Sequence, residues 1–287
     1  MIYLIVFTLF LGLISPKMRT VAFIYGYTCL SVAGVFNGYF SARMMRFFGQ
    51  TDWRIQTFFS AVTLPSYILI SFLIIDFIEY EEQSSNYIPF TSLALYTFVW
   101  FLVSIPLSLY GSYRGYREKI AFPKKVNALK RSIPQTTANS NTVVISTVML
   151  TGAFIFTHVA VQFYYVLSSV WRSWMFAVFG VFLLNILSLV AVIAVASMLM
   201  TYWCLKSENW NWWWRAYLNG ASAGVFMYIF CVYQMAFVFK IDLISSDIIF
   251  LLYSLLASVF FGMICGTASL AASYAFVLFI FGRVKMD

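Results

Sequence analysis

His158 is the only histidine in the chain, and Gln162 follows it by four residues. On a helix that spacing puts both side chains on one face. Imidazole is the side chain best suited to move a proton near neutral pH or to ligate a metal. An enzyme also needs partners for it, and few exist here. H-E-x-x-H, the phosphate-binding loop and G-x-G-x-x-G are all missing from the sequence. Asp76, Glu79, Glu81 and Glu82 crowd one short segment, and no apolar run carries the central aspartates that intramembrane proteolysis would require. Cys29, Cys204, Cys231 and Cys265 lie far apart without a C-x-x-C pair, so neither a metal site nor a disulfide framework can be read. The expectation is no enzyme, no cofactor and no metal.

The remaining polar residues of interest, Asn185 and Gln234, also interrupt apolar runs, as do His158 and Gln162. A polar side chain in hydrocarbon seeks a partner or water, which makes it a functional candidate. The plainer alternative is interhelical hydrogen bonding that holds a bundle together. Lys, Glu and Arg are absent from the centres of these runs, which argues against an ion relay.

The elements that must position these residues are membrane helices. Hydrophobic residues make up 62% of the chain and charged residues 10%, with a mean hydropathy of +0.86. A soluble domain carries roughly 25% charged residues. A bilayer core about 30 Å thick needs about 20 apolar residues per helix. Continuous runs at about 20–42, 55–78, 89–112, 143–168, 174–204, 216–239 and 248–282 meet that need. Their continuity excludes the ten-residue alternation of a β-barrel. Residues 1–15 are apolar but short. They lack a basic n-region and a small-x-small cleavage site, so they read as a further helix rather than a signal peptide. The expected fold is all-α, a single polytopic bundle of about eight transmembrane helices over residues 1–287. The last run is too long for a straight crossing and is expected to tilt, to protrude, or to break near Gly262 and Gly266.

Charge sets the orientation. With helices alternating, 14 of the 18 Lys and Arg residues fall on one side, together with the long loop 113–142 and the tail 283–287. By the positive-inside rule that side is cytosolic. The same placement, in short loops between apolar runs, makes the +8 net charge a membrane signal and excludes nucleic acid as a partner. The long basic loop is either a solvated flank or a dock for a cytosolic partner or anionic lipid. Trp212, Trp213, Trp214 and Arg215 stand just before a helix on that side. Indoles favour the headgroup level, so an interfacial belt or a docking surface is expected there.

Several stretches together are similar to one known family. They run in order from Gly38-Tyr39-Phe40-Ser41-Ala42-Arg43, Trp53 and Pro65 to Ser84-Ser85-Asn86-Tyr87-Ile88-Pro89-Phe90. Trp100, Ser104-Ile105-Pro106-Leu107, Gly111-Ser112-Tyr113 and Ile133-Pro134-Gln135 follow. Trp212-Trp213-Trp214-Arg215, Gly266-Thr267 and Val284-Lys285-Met286-Asp287 complete the series. In this order the chain resembles the membrane domain of the nonaspanins, the transmembrane-9 superfamily, also called the endomembrane protein 70 family. The resemblance implies nine helices, with a large lumenal domain before the first. It places Met1 inside the second helix, so that the lumenal domain and first helix are lacking. A truncated relative, an incomplete sequence, or a separate partner that supplies the lumenal domain each fits. The family's acidic residue about twenty positions before the tryptophans is replaced by Val195.

The resemblance further implies residence in Golgi and endosomal membranes and sorting of other membrane proteins. It implies that Lys285 and Asp287 form the tail signal that binds the COPI coat. The leading functional expectation is a non-enzymatic trafficking factor that recognises transmembrane segments of cargo, with Gly220, Ala221, Ser222, Ala223 and Gly224 permitting close helix approach. The alternative is a transporter or channel for a small solute. A seven-helix receptor ranks third, since no receptor motif is present.

Overall fold

The computed structural model describes residues 33–46, 52–81, 90–117, 132–134, 140–172, 175–239 and 243–283. Among the described residues all regular structure is helical. The helices are α1 (33–46), α2 (Trp53–Glu81), α3 (Phe90–Arg117), α4 (Asn141–Arg172), α5 (Met175–Lys206), α6 (Trp212–Phe237) and α7 (Ile244–Arg283). Five segments are long and apolar enough to cross a membrane: Trp53–Glu81, Asn141–Tyr165, Asn185–Lys206, Trp212–Phe237 and Ile244–Phe281. The fold is a helical membrane bundle. The expected helix at 1–15 lies outside the described residues, as does most of the loop 113–142.

The chain divides into two compact units, Met1–Phe122 and Pro123–Asp287. In the first, α1 and α3 run parallel through a seam of small residues. A Cβ on Gly38 would collide with the Ser108 carbonyl, one on Gly111 with the Val35 carbonyl, and one on Gly115 with the Tyr39 carbonyl. Only glycine lets the two backbones approach that closely, and close approach is what dispersion needs when lipid competes for every apolar contact. α2 joins α1 through Asn37, whose Oδ1 accepts a hydrogen bond from Ser60 Oγ at 3.2 Å. At the end where the arginines gather, Arg46 donates to the Tyr116 carbonyl and its guanidinium lies 5.3 Å from the Tyr116 ring centre. Trp53 stacks on the same ring at 5.6 Å.

In the second unit, Ile155 and Val159 of α4, Leu189 and Ile193 of α5, Ala223 of α6 and Cys265 of α7 form the core. Hydroxyls cross between helices to carbonyls and to each other. Ser222 Oγ donates to the Val148 carbonyl at 2.9 Å, Ser269 Oγ to the Ala216 carbonyl at 2.5 Å, and Thr201 Oγ1 to Ser273 Oγ at 2.8 Å. α7 does not break at its glycines. It runs unbroken for 40 residues, which at 1.5 Å per residue is about 60 Å, twice the hydrocarbon thickness. Gly262 and Gly266 are packing positions within it. The first meets the Ala221 carbonyl and the second the Tyr217 side chain.

The turn between α5 and α6 has a defined cap. Glu208 N–H donates to the Leu205 carbonyl at 3.0 Å and Asn209 N–H to the Cys204 carbonyl at 3.2 Å. This is the Schellman pairing, which requires a left-handed residue after the helix. Glu208 holds that place with φ at 55°.

Candidate functional site

His158 lies near the middle of α4 and is exposed, as is Ser188 on α5. The His158 Nε2 to Ser188 Oγ distance is 3.0 Å. Ser188 in turn donates to the Asn185 carbonyl at 2.9 Å, with Asn185 Oδ1 a second acceptor at 3.5 Å. With the serine proton directed there, Ser188 Oγ accepts from His158 Nε2–H. The imidazole tautomer assigned from this network leaves Nδ1 as an acceptor. Among the described residues Nδ1 has no partner. The structure therefore brings His158 and Asn185 together and adds Ser188, which sequence reasoning passed over. Serines in apolar helices ordinarily bond their own helix, as Ser197 and Ser254 do here, and so give no distinct signal.

Gln162 is half-buried one turn beyond His158, and Gln234 is buried on α6. Among the described residues no hydrogen bond joins either of them to the His158–Ser188–Asn185 chain. Lys285 and Asp287 lie outside the described residues. Val195, at the position where an acidic residue was expected, is 70% exposed on α5.

The tryptophan cluster is divided between roles. Trp213 packs against both Trp210 and Trp212, at 5.6 and 6.2 Å between ring centres. Trp214 points outward, 63% exposed. Arg215 turns the other way and donates to Cys204 Sγ at 3.5 Å. The four residues are thus not one continuous surface.

The small-residue stretch is also not an open surface. Gly220 abuts the Cys265 carbonyl, Gly224 abuts Ser258 and Gly262, and Ser222 abuts Gly152 of α4. Its close approach is made to the protein's own helices, which corrects the expectation that it receives cargo. Gly220-Ala221-Ser222-Ala223-Gly224 also spells G-x-S-x-G. A nucleophile elbow of that pattern needs a sharp strand-to-helix turn. Here the stretch lies inside α6, and Ser222 directs its hydroxyl to the carbonyls of Val148 and Asn219. Among the described residues no group of three His, Cys, Asp or Glu side chains is placed to hold a metal.

Comparison with known proteins gives the context. The family model described as Endomembrane protein 70 matches residues 1–244. The chain is 27% identical to Transmembrane 9 superfamily member 9 of Arabidopsis thaliana over 278 residues, 96% of this chain and 43% of that protein. It is 27% identical to the human Transmembrane 9 superfamily member 2 over 288 residues, 100% of this chain and 43% of that protein. A Transmembrane 9 superfamily protein of Schizosaccharomyces pombe is 25% identical, with 99% of this chain and 45% of that protein covered. The chain thus spans less than half the length of the curated relatives it matches. No solved structure matches it. A helical membrane bundle whose residues match the family model over most of its length belongs to the endomembrane protein 70 family.

Proposed function

We propose that the chain is a non-enzymatic sorting factor of Golgi and endosomal membranes that recognises the transmembrane segments of cargo proteins. The observation that supports this reading is the His158–Ser188–Asn185 chain, with His158 and Ser188 exposed, in the middle third of two long apolar helices. An outward acceptor at hydrocarbon depth is costly unless a donor meets it. A cargo helix carrying Ser, Thr, Asn or Trp at the same depth supplies that donor. The family membership supports the cellular setting. On this reading the basic end of the bundle and the C-terminus face the cytosol, and the Lys285–Asp287 tail engages the COPI coat.

Two measurements test the reading. Loss of the protein should lower the surface level of a subset of membrane proteins, and His158→Leu should fail to restore them. Purified protein in liposomes should pass no ions or small solutes above empty vesicles. A reproducible solute flux abolished by His158→Leu would replace the sorting role with transport.

A further inference from the structure

A second polar site lies at the basic end of the second unit, where the first turns of α4 and α6 meet the last turn of α5. It is a small pocket, open to solvent at its mouth. Arg215 and Asn219 line it from α6, Thr147 from α4, and Cys204 from α5. The guanidinium carries five donors. Here one is directed at Cys204 Sγ, a weak acceptor, and among the described residues no carboxylate pairs with it. Asn219 is only 4% exposed, yet among the described residues its carboxamide makes no hydrogen bond. In the pocket wall that carboxamide is left to water or to a ligand.

The backbone favours a negative ligand. Both α4 and α6 present their N-termini, where unpaired N–H groups carry partial positive charge. The N-cap residue of α6, Asn211, makes no side-chain hydrogen bond to that end. The opposing C-terminus of α5 is blunted by the cap that occupies the Cys204 and Leu205 carbonyls. The other half of the lining is apolar, with Val143, Met200 and the 47% exposed Trp203.

We propose that this pocket binds the phosphate of a membrane lipid, held by Arg215 and Asn219, with the lipid's glycerol and acyl carbons against Trp203 and Met200. Phosphate suits a guanidinium fork that keeps free donors, and the carboxamide N–H₂ adds one more donor. The apolar wall favours a lipid over free phosphate.

The test uses the purified full chain in a neutral detergent and follows its melting temperature against ligand. The probes are inorganic phosphate, short-chain phosphatidic acid and short-chain phosphatidylcholine. Binding to the folded state raises the melting temperature in a saturable way. Phosphatidic acid should do so at far lower concentration than the other two. Arg215→Gln should weaken it about tenfold or more, as loss of a charge-assisted hydrogen bond implies, and Arg215→Lys less. Asn219→Asp, which keeps the side-chain size but adds a negative charge, should abolish the shift. Each variant is compared with its own ligand-free melt, so a change in basal stability does not enter. Equal affinity for inorganic phosphate and phosphatidic acid would overturn the lipid as the source. An unchanged phosphatidic acid response in both Arg215→Gln and Asn219→Asp, or no saturable response in the wild type, would overturn the site.

Discussion

His158 of α4 and Ser188 of α5 meet at 3.0 Å on the exposed face of the second unit, in the middle third of both helices. Interhelical hydrogen bonds of this kind contribute little to a membrane bundle, about 0.6 kcal/mol on average. His158→Leu should therefore change stability by under about 1 kcal/mol while removing the outward acceptor. Equilibrium unfolding in mixed detergent micelles checks this. A loss of several kcal/mol would make the pair a structural bond rather than a recognition site.

Gly34 and Gly38 face the same partner helix but with different slack. A Cβ on Gly34 would lie 3.3 Å from the Ser104 carbonyl oxygen, whereas one on Gly38 would overlap the Ser108 carbonyl. Gly38→Ala should cost about 1–3 kcal/mol or more, as overpacking against backbone does, and Gly34→Ala much less. Thermal melts of the two variants in parallel should show this order. Equal effects would mean that α1 and α3 do not pack through this seam.

Glu208 sits in the left-handed region at a position that favours glycine. A non-glycine residue there costs on the order of 1 kcal/mol. Glu208→Gly should raise stability by up to about 1 kcal/mol, less the extra chain entropy that glycine loses on folding. Glu208→Ala, which keeps the Cβ, should bring no gain. A rise in melting temperature for the glycine variant alone checks the cap.

How much of this was readable beforehand depends on the scale of the interaction. Helical membrane structure follows from run length and composition, which need no partner to be identified. The family follows from the order of many short motifs. Partner choice was not readable. Gly220 to Gly224 announce close approach without saying to which helix, and the answer is α4 and α7. Gly262 and Gly266 look like break points because glycine weakens isolated helices. In a bundle they are contact points, and α7 passes through both. The i, i+4 spacing pairs His158 with Gln162 on one face, yet the hydrogen bond goes across to Ser188 on another helix, thirty residues away. The unpartnered Asn219 could not be seen at all, since its meaning comes from the burial around it.

The charge distribution predicts a cytosolic loop at 113–142, because 14 of 18 basic residues fall on that side. Protease added to sealed microsomes should cut this loop without detergent. Protection of the loop would reverse the orientation.

The proposed tail signal makes a separate prediction. Lys285 carries a positive charge and Asp287 a negative one two residues later, on the order of 7 Å apart if the tail is extended. Replacing both with Ser should release the protein to later compartments or the cell surface, and a C-terminal tag that masks the end should do the same. Unchanged Golgi residence of a folded double variant would assign retention to the helices.

Recognition of cargo helices at the His158 face is tested most directly by photocrosslinking in intact membranes. A crosslinking side chain at Leu187, which is 62% exposed beside Ser188, samples that face without altering the hydrogen bonds. The account predicts protein adducts that map to transmembrane segments of other membrane proteins and that fall severalfold when His158→Leu is added. Adducts to lipid alone, or protein adducts unchanged by His158→Leu, would contradict it.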